Sequence, residues 1–424
     1  MPSRKSRYIA ALDIGSFKVS CFVAQVPLDI KTIPKEERLS HISIVASSEM
    51  PSRGIRHGAI NDMNVAENIV GTVIENAEIE MNAPIDRVWI NSSAGEAKAH
   101  YTVNHIATDG VIDEDDMDRL FGEAISDIYD EHDYIMHAIP LKYLINDGDP
   151  VSDPVGMRAT RLEMRMMAIT AQLMPLRNLG LCIEKNLAEI GGRAISPYAS
   201  ALGSLVPSEM KIGAVCVDIG ADTSSVAVYK DDRLIFADVL KIGGNHITRD
   251  ISQYFSTPMA SAEYLKCEKG TCQIYGTEHD HVQLPVIGEN FNSPTFETIS
   301  RSELVKVIRL RTEEIIETIY DRLRKTGLVL SHYKLVLTGG TAQLAGFDAL
   351  VKQMLQQKTR IACPLRLNGM PQSMSGPAYS VLSGLLSYAI LQPEEIPPEK
   401  LFKRSYDFEG PKFKKIIHWL KHNF

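Results

Sequence analysis

At 424 residues, 44% hydrophobic and 23% charged, the chain has the composition of a folded globular protein long enough for two or more domains. A formal net charge of -8 gives no general attraction to nucleic acid, and neither phosphate signature, GxGxxG or GxxxxGK[ST], occurs. Six scattered cysteines fit reduced thiols better than a disulfide framework, and no apolar run reaches the roughly 18 to 20 residues of a membrane-spanning helix.

The N-terminal MPSRKSRYIAALDIG runs into a strand carrying Asp13 without the apolar core of a signal peptide, so a cytoplasmic chain is expected. Residues 8–25, YIAALDIGSFKVSCFVAQ, predict two strands joined by a tight DIGSFK corner. A helix follows near 62–80. The Pro-marked NAPID opens an inserted block, 83–167, expected to hold strands in DRVWINSS and TRLEMRMMAIT around an acidic helix start, DEDDMDRLFGEAI. Residues 212–244 repeat the first design: strand, DIG, hydroxyl-bearing turn, strand. Such duplication suggests two related domains facing one another. Helical periodicity returns in SAEYLKCEK and in SRSELVKVIRLRTEEIIETIYDRLRKTG. HYKLVLTGGTAQLAGFDALVKQML then reads as a buried strand, a glycine-rich turn and an amphipathic helix starting near Gly346. After the apolar helix GPAYSVLSGLLSYAIL, the prolines and charges of QPEEIPPEKLFKRSYDFEG mark an extended linker.

Two hairpin corners, each tipped by an Asp, can close on a polyphosphate from opposite sides, because glycine lets backbone N–H groups approach the anion. In the first, Asp13 would hold Mg²⁺ through water while Gly15, Ser16 and Lys18 meet the phosphates. The second offers Asp218, Gly220, Ala221, Thr223 and Ser224. A third element, Gly339 and Gly340 with Thr341 and Gln343, leaves backbone uncovered for a flat nucleoside. One DIG alone reads as an ordinary strand turn; three such elements in this order do not. Gln172, ending the strand AITAQ, is a candidate for positioning a water.

Three further clusters carry competing readings. Cys267, Cys272, His279 and His281 have C-x4-C and H-x-H spacing at the loose edge of zinc patterns, and polar residues of a surface hairpin explain them more simply. Arg301, Lys306, Arg309 and Arg311 are either a basic partner face or a solvated helix face paired with neighbouring Glu. In PKFKKIIHWLKHNF, a helical wheel puts Phe413, Ile416, Ile417, Leu420 and Phe424 on one stripe, Trp419 at its edge, and lysines and histidines opposite. That is the pattern of an interfacial membrane helix. Each apolar side chain would gain at most about 1.5 to 3 kcal/mol and each lysine about 1 kcal/mol near anionic lipid, so a single tail binds reversibly.

Together, ALDIGSFKV, VDIGADTSSVAVY, IGGNHITRDI, VLTGGTAQLAG and the terminal segment resemble the actin and Hsp70 ATPase superfamily. Within it, the inserted block and lipophilic tail resemble the FtsA family of bacterial cell-division proteins. The resemblance implies an α/β, actin-like (ribonuclease H-like) fold of two domains and four subdomains with the nucleotide in the central cleft. Its divisions would be 7–82 with 168–194 and 377–392, the insert 83–167, 195–243 with 323–376, and 244–322, then a linker, 393–410, and the amphipathic helix, 411–424. Implied cofactors are ATP and Mg²⁺, with weak or no hydrolysis. Gly243, Gly244 and Asn245 would line the ribose, and Glu263 and Lys266 would flank base and ribose. One departure is Asp222, where the family's second corner is usually glycine-rich; a carboxylate beside a triphosphate repels it unless it points outward or reaches the metal. Implied partners are the FtsZ tail at the basic cluster, other division proteins, further copies in filaments, and the anionic inner face of the cytoplasmic membrane at the septum. A type IV pilus assembly adaptor and a small-molecule kinase of the same superfamily are the rival readings.

Overall fold

The computed structural model describes residues 6–93, 97–274, 280–286 and 295–396. In β1 (Ser6–Ile14) and β2 (Lys18–Pro27) successive side chains face opposite sides of a sheet, and apolar residues on both sides bury both faces. The pair is antiparallel, with Asp13 opposite Ser20, and β3 (Ser43–Pro51) continues it beyond β2. A short hairpin, β4 (Ile55–Arg56) and β5 (Ala59–Ile60), turns at His57 and Gly58. Next comes α1 (Met63–Met81), capped by Asp62, whose carboxylate accepts from the Val65 N–H.

β6 (Arg87–Ser92) lies parallel to β1. DRVWINSS therefore belongs to the first sheet and not to the inserted block: buried Val88 and Ile90 suit the middle of a sheet covered on both faces. The insert proper holds β7 (Lys98–Val111), α2 (Glu114–Ser126), β8 (Asp133–Ile145), β9 (Pro150–Val151) and β10 (Arg158–Gln172). Its antiparallel sheet runs in the order β7-β10-β8-β9, and α2, opened by a capping box between Asp113 and Asp116, packs Leu120 and Phe121 against it.

The chain returns through α3 (Leu173–Glu184) and β11 (Glu189–Ile195), then α4 (Ser196–Ser204) and α5 (Pro207–Ile212). A second sheet starts with β12 (Ala214–Ile219), β13 (Ser224–Lys230) and β14 (Arg233–Leu240). It is followed by α6 (Gly244–Tyr254), by α7 (Met259–Tyr264) widening into a π-helical turn at Leu265–Lys269, by the hairpin β15 (His281–Val286) and β16 (Thr295–Ser300), and by α8 (Arg301–Arg324). β17 (Lys334–Thr338), α9 (Phe347–Leu355), β18 (Thr359–Ile361) and α10 (Ser380–Leu391) complete the described fold.

The first sheet has the order β3-β2-β1-β6-β11 and the second β14-β13-β12-β17-β18. In each, the leading hairpin has an antiparallel third strand on one side and two parallel strands on the other. The corners match in register too: Asp218 faces Ser225 as Asp13 faces Ser20. The two expected domains are thus copies of one topology. They meet through α10, packed on the first sheet, and α4, packed on the second. These helices touch backbone to backbone: a Cβ on Gly384 would lie 1.7 Å from the Ala199 carbonyl oxygen, and one on Gly203 would lie 2.0 Å from that of Ser380.

The linker expected from 393 is docked over its first residues. Glu394 pairs with Arg233 at 3.4 Å, Glu395 with His137 Nδ1 at 2.9 Å, and the Ile396 N–H donates to the Ala138 carbonyl of β8 at 2.8 Å. Ile396 is buried in the core of the inserted sheet, so this stretch, unlike a solvated linker, has an apolar anchor. His137 is fully buried; its Nε2 accepts from the Ile195 N–H, so Nδ1 carries the proton that Glu395 receives. Among the described residues no helix is long and apolar enough to cross a membrane.

Candidate functional site

In α/β sheets, ligands gather where parallel strands end. The segments following β1, β6, β11, β12 and β17 all line one cleft of about 420 Å³ between the two sheets. From the first domain come Asp13, Gly15, Ser16 and Lys18, as expected from the sequence, joined by Asn91, Ser93 and Ser196. The second corner contributes Asp218, Gly220, Ala221 and Thr223. Asn245, Glu263 and Lys266 form one wall, and Gly339, Gly340, Thr341 and Gln343 another. Gly339, at φ +89°, permits what another residue would not: a Cβ there would lie 2.3 Å from Asp218 Oδ1.

Four expected positions fall elsewhere. Ser224 is fully buried and donates to the Ile242 carbonyl; its neighbour Ser225, opposite Asp218, faces the cleft, because alternation in β13 turns adjacent side chains to opposite sides. Gly243 and Gly244 lie behind the second corner, where the Gly244 N–H donates to the Gly220 carbonyl at 2.9 Å and docks the start of α6. Gln172 pairs with Asp133 at the end of the inserted sheet, is exposed, and does not line the cleft.

Asp13 and Asp218 each bring a carboxyl group to the cleft. Asn91 Nδ2 donates to Asp13 Oδ1 at 2.7 Å and to Ser196 Oγ at 3.1 Å, while its Oδ1 accepts from the Ile14 N–H, so Asn91 aims Asp13. Burial pushes Asp13 up to about 6 against the opposing pull of Lys18 and Asn91. Burial and the facing Asp13 push Asp218 up to about 7. Two carboxylates held this high lack sufficient cationic compensation, and this donor set suits a hard divalent cation shared with phosphate oxygens. Burial lowers the Lys18 ammonium while Glu49, 3.1 Å away, raises it; the same ammonium stands 3.1 Å from the centre of the Tyr379 ring. Opposite, the buried Lys266 pairs with Glu263 at 2.6 Å and donates to Thr248 at 2.9 Å. Burial would raise Glu263, but Lys266 and Thr248 outweigh it and hold the carboxyl below its usual range.

Asp222 does not aim its carboxylate at the corner's own amides. It accepts from Asn245 Nδ2 at 2.9 Å and from the His57 N–H at 3.4 Å, with Arg249 at 3.9 Å.

In the basic cluster, Arg311 pairs with Asp250 of α6 and with Glu314, Arg309 pairs with Glu313 and donates to the Cys272 carbonyl, Arg301 pairs with Asp280, and Lys306 is exposed. Of the zinc candidates, Cys267 is exposed beside Glu263, whereas Cys272 is buried against Thr312 and burial pushes its thiol up to about 11. His279 lies outside the described residues, among which no group of three or more His, Cys, Asp or Glu assembles to hold a metal. The expected membrane residues Phe413, Ile416, Ile417, Trp419, Leu420 and Phe424 also lie outside the described residues.

Two family models match the chain: "Cell division protein FtsA" over residues 215–384 and "SHS2 domain inserted in FTSA" over residues 96–170. The cell division protein FtsA of Agrobacterium fabrum is 29% identical over 429 aligned residues, covering 100% of this chain and 96% of that protein. The Escherichia coli K12 protein of the same description is 26% identical, covering 99% and 98%. Among solved structures, a PilM-PilN type IV pilus biogenesis complex matches with TM-score 0.61 at 15% identity, covering 91% of this chain and 99% of that one. MreB5 of Spiroplasma citri bound to ADP matches with TM-score 0.54 at 15% identity, covering 91% and 98%; these likenesses establish an actin-like fold. With both its second domain and its insert matched by models of one family, and with relatives aligned end to end, the chain belongs to the FtsA family of cell division proteins.

Proposed function

We propose that this protein binds Mg-ATP in the cleft, polymerises, and tethers FtsZ filaments to the cytoplasmic face of the inner membrane at the septum through residues 411–424, where it recruits later division proteins. The observation that carries the nucleotide reading is the facing pair Asp13 and Asp218, delivered by matching hairpins to one cleft and held in a state that calls for a cation. MreB5, of the same fold, has been solved with ADP and with AMPPNP. In this reading Asp13 and Asp218 hold Mg²⁺, which neutralises phosphate charge. Lys18 and the amides of the two corners take the phosphates, Glu263 and Lys266 the ribose and base edge, and Gly340 and Thr341 one face of the base. Asn91, Ser93 and Ser196 are the neutral hydroxyl and amide groups beside Asp13, in place of Gln172, and they orient groups without supplying a strong base, which fits binding with slow turnover.

The basic start of α8 would take the FtsZ tail, an acidic and apolar peptide exchanging with Asp280 and Asp250 for Arg301 and Arg311. Polymerisation multiplies a weak membrane helix through effective concentration. Full-length protein should give a saturable heat with Mg-ATP and co-sediment with anionic liposomes. Truncation before residue 411 should abolish lipid binding and leave the nucleotide heat intact. A silent titration refutes the cleft assignment, and equal sedimentation of the two proteins refutes the anchor.

A further inference from the structure

We propose that Asp222 and the His57–Gly58 turn form a latch across the cleft that sets how fast nucleotide leaves; this rests on the nucleotide reading above. The turn is the tip of the β4–β5 hairpin, and both its residues are left-handed, His57 at φ 50° and Gly58 at φ 73°. A two-residue hairpin demands this backbone, which glycine adopts freely and a residue with a Cβ adopts at a cost. His57 is held there from the other domain. Its N–H donates to Asp222 Oδ2 at 3.4 Å, and its Nδ1 lies 3.3 Å from the Asp222 carbonyl oxygen, an acceptor that requires the proton on Nδ1. The next amide, of Gly58, donates to Ser16 Oγ at 3.4 Å, so one turn touches both phosphate corners.

Asp222 is fixed in turn. It is 5% exposed, and two residues one helical turn apart on α6, Asn245 and Arg249, both approach Oδ1, leaving Oδ2 for the bond across the cleft. The Asn245 N–H donates to the Ala221 carbonyl at 2.7 Å, which sets the backbone before it. Glycine at 222 would keep the carbonyl contact and lose every one of the carboxylate's. The departure from a glycine-rich corner thus has a physical use: Arg249 and Asn245 engage the charge that would otherwise repel a triphosphate, and the carboxylate joins the two domains where they flank the phosphates. The corners part only when this contact breaks.

The test uses full-length protein loaded with methylanthraniloyl-ATP and Mg²⁺ and chased with excess ATP, the dissociation rate being read by stopped-flow fluorescence. Asp222→Gly should release nucleotide about tenfold faster, as expected for losing a hydrogen bond to a charged group. Asp222→Asn, which keeps the shape and an acceptor oxygen, should fall between Asp222→Gly and wild type. In the nucleotide-free proteins, hydrogen exchange in residues 53–60 should speed up in Asp222→Gly. Release from both variants at the wild-type rate overturns the latch alone and leaves the nucleotide reading standing. No fluorescence change with wild type overturns that reading and the gating role together.

Discussion

Asp13 and Asp218 make the cleft a titrating site. Their carboxyls, raised to about 6 and about 7 chiefly by burial, keep protons in the folded protein that the unfolded chain has already lost. This pair therefore favours the folded state most in acid. Its contribution declines as pH rises from about 4, the ordinary carboxylate value, through about 7, and is constant beyond. A cation held between the two carboxylates would reverse the preference, so Mg-ATP should expel about one proton near pH 6.5 and almost none at pH 8. Calorimetry in buffers of different ionisation enthalpy measures this, and a release that does not change with pH would contradict it. Most of the cleft-lining residues were legible because the DIG corner occurs twice and is joined by a third glycine element, whereas one such corner alone reads as an ordinary strand turn. Ser225 was missed by one position, because the sequence alone does not set which side of β13 faces the cleft. Asn91 and Ser93 escape the sequence reading because WINSS reads as part of the insert, Ser196 because no motif marks the end of β11, and Gln172 falls elsewhere because the strand that ends there belongs to the inserted sheet and not to the first.

Among the elements, the crossing of α4 and α10 decides how the two domains are held. The sequence marks α10 as a helix, and the run of small residues in SPYASALGS is plain, but neither shows that Gly384 lies on the Ala199 carbonyl. In an isolated helix, Gly→Ala stabilises by about 1 kcal/mol. Here Gly384→Ala should destabilise by about 1 to 3 kcal/mol, because backbone has to shift to admit the methyl group. The sign of the change in Tm separates the two outcomes. The strand of DRVWINSS was legible as a strand and not as to its sheet: pairing partners are fixed by which faces need cover, and the preceding proline marked only a turn.

For the whole molecule, duplication was the most informative feature. Two DIG hairpins anticipate two sheets of identical strand order, and the family follows from their combination with an inserted antiparallel sheet. What the sequence concealed is the docking of residues 394–396, which reads as solvated linker because two glutamates and two prolines surround one isoleucine. Removing the Glu395 carboxylate by Glu395→Ala strands the His137 Nδ1 proton in the core, at a cost of about 1 to 3 kcal/mol. Thermal unfolding should show this loss, with faster hydrogen exchange in residues 135–139 of β8, and unchanged exchange would mean that His137 finds another acceptor.

This docking also determines where mechanical load enters. Tension transmitted along the residues that follow Ile396 is delivered to a single point, the flank of β8, before it can reach either half of the body. If residues 411–424 moor the protein as proposed, a tug from the lipid surface would be felt first by the inserted sheet, which occupies the region matched as "SHS2 domain inserted in FTSA".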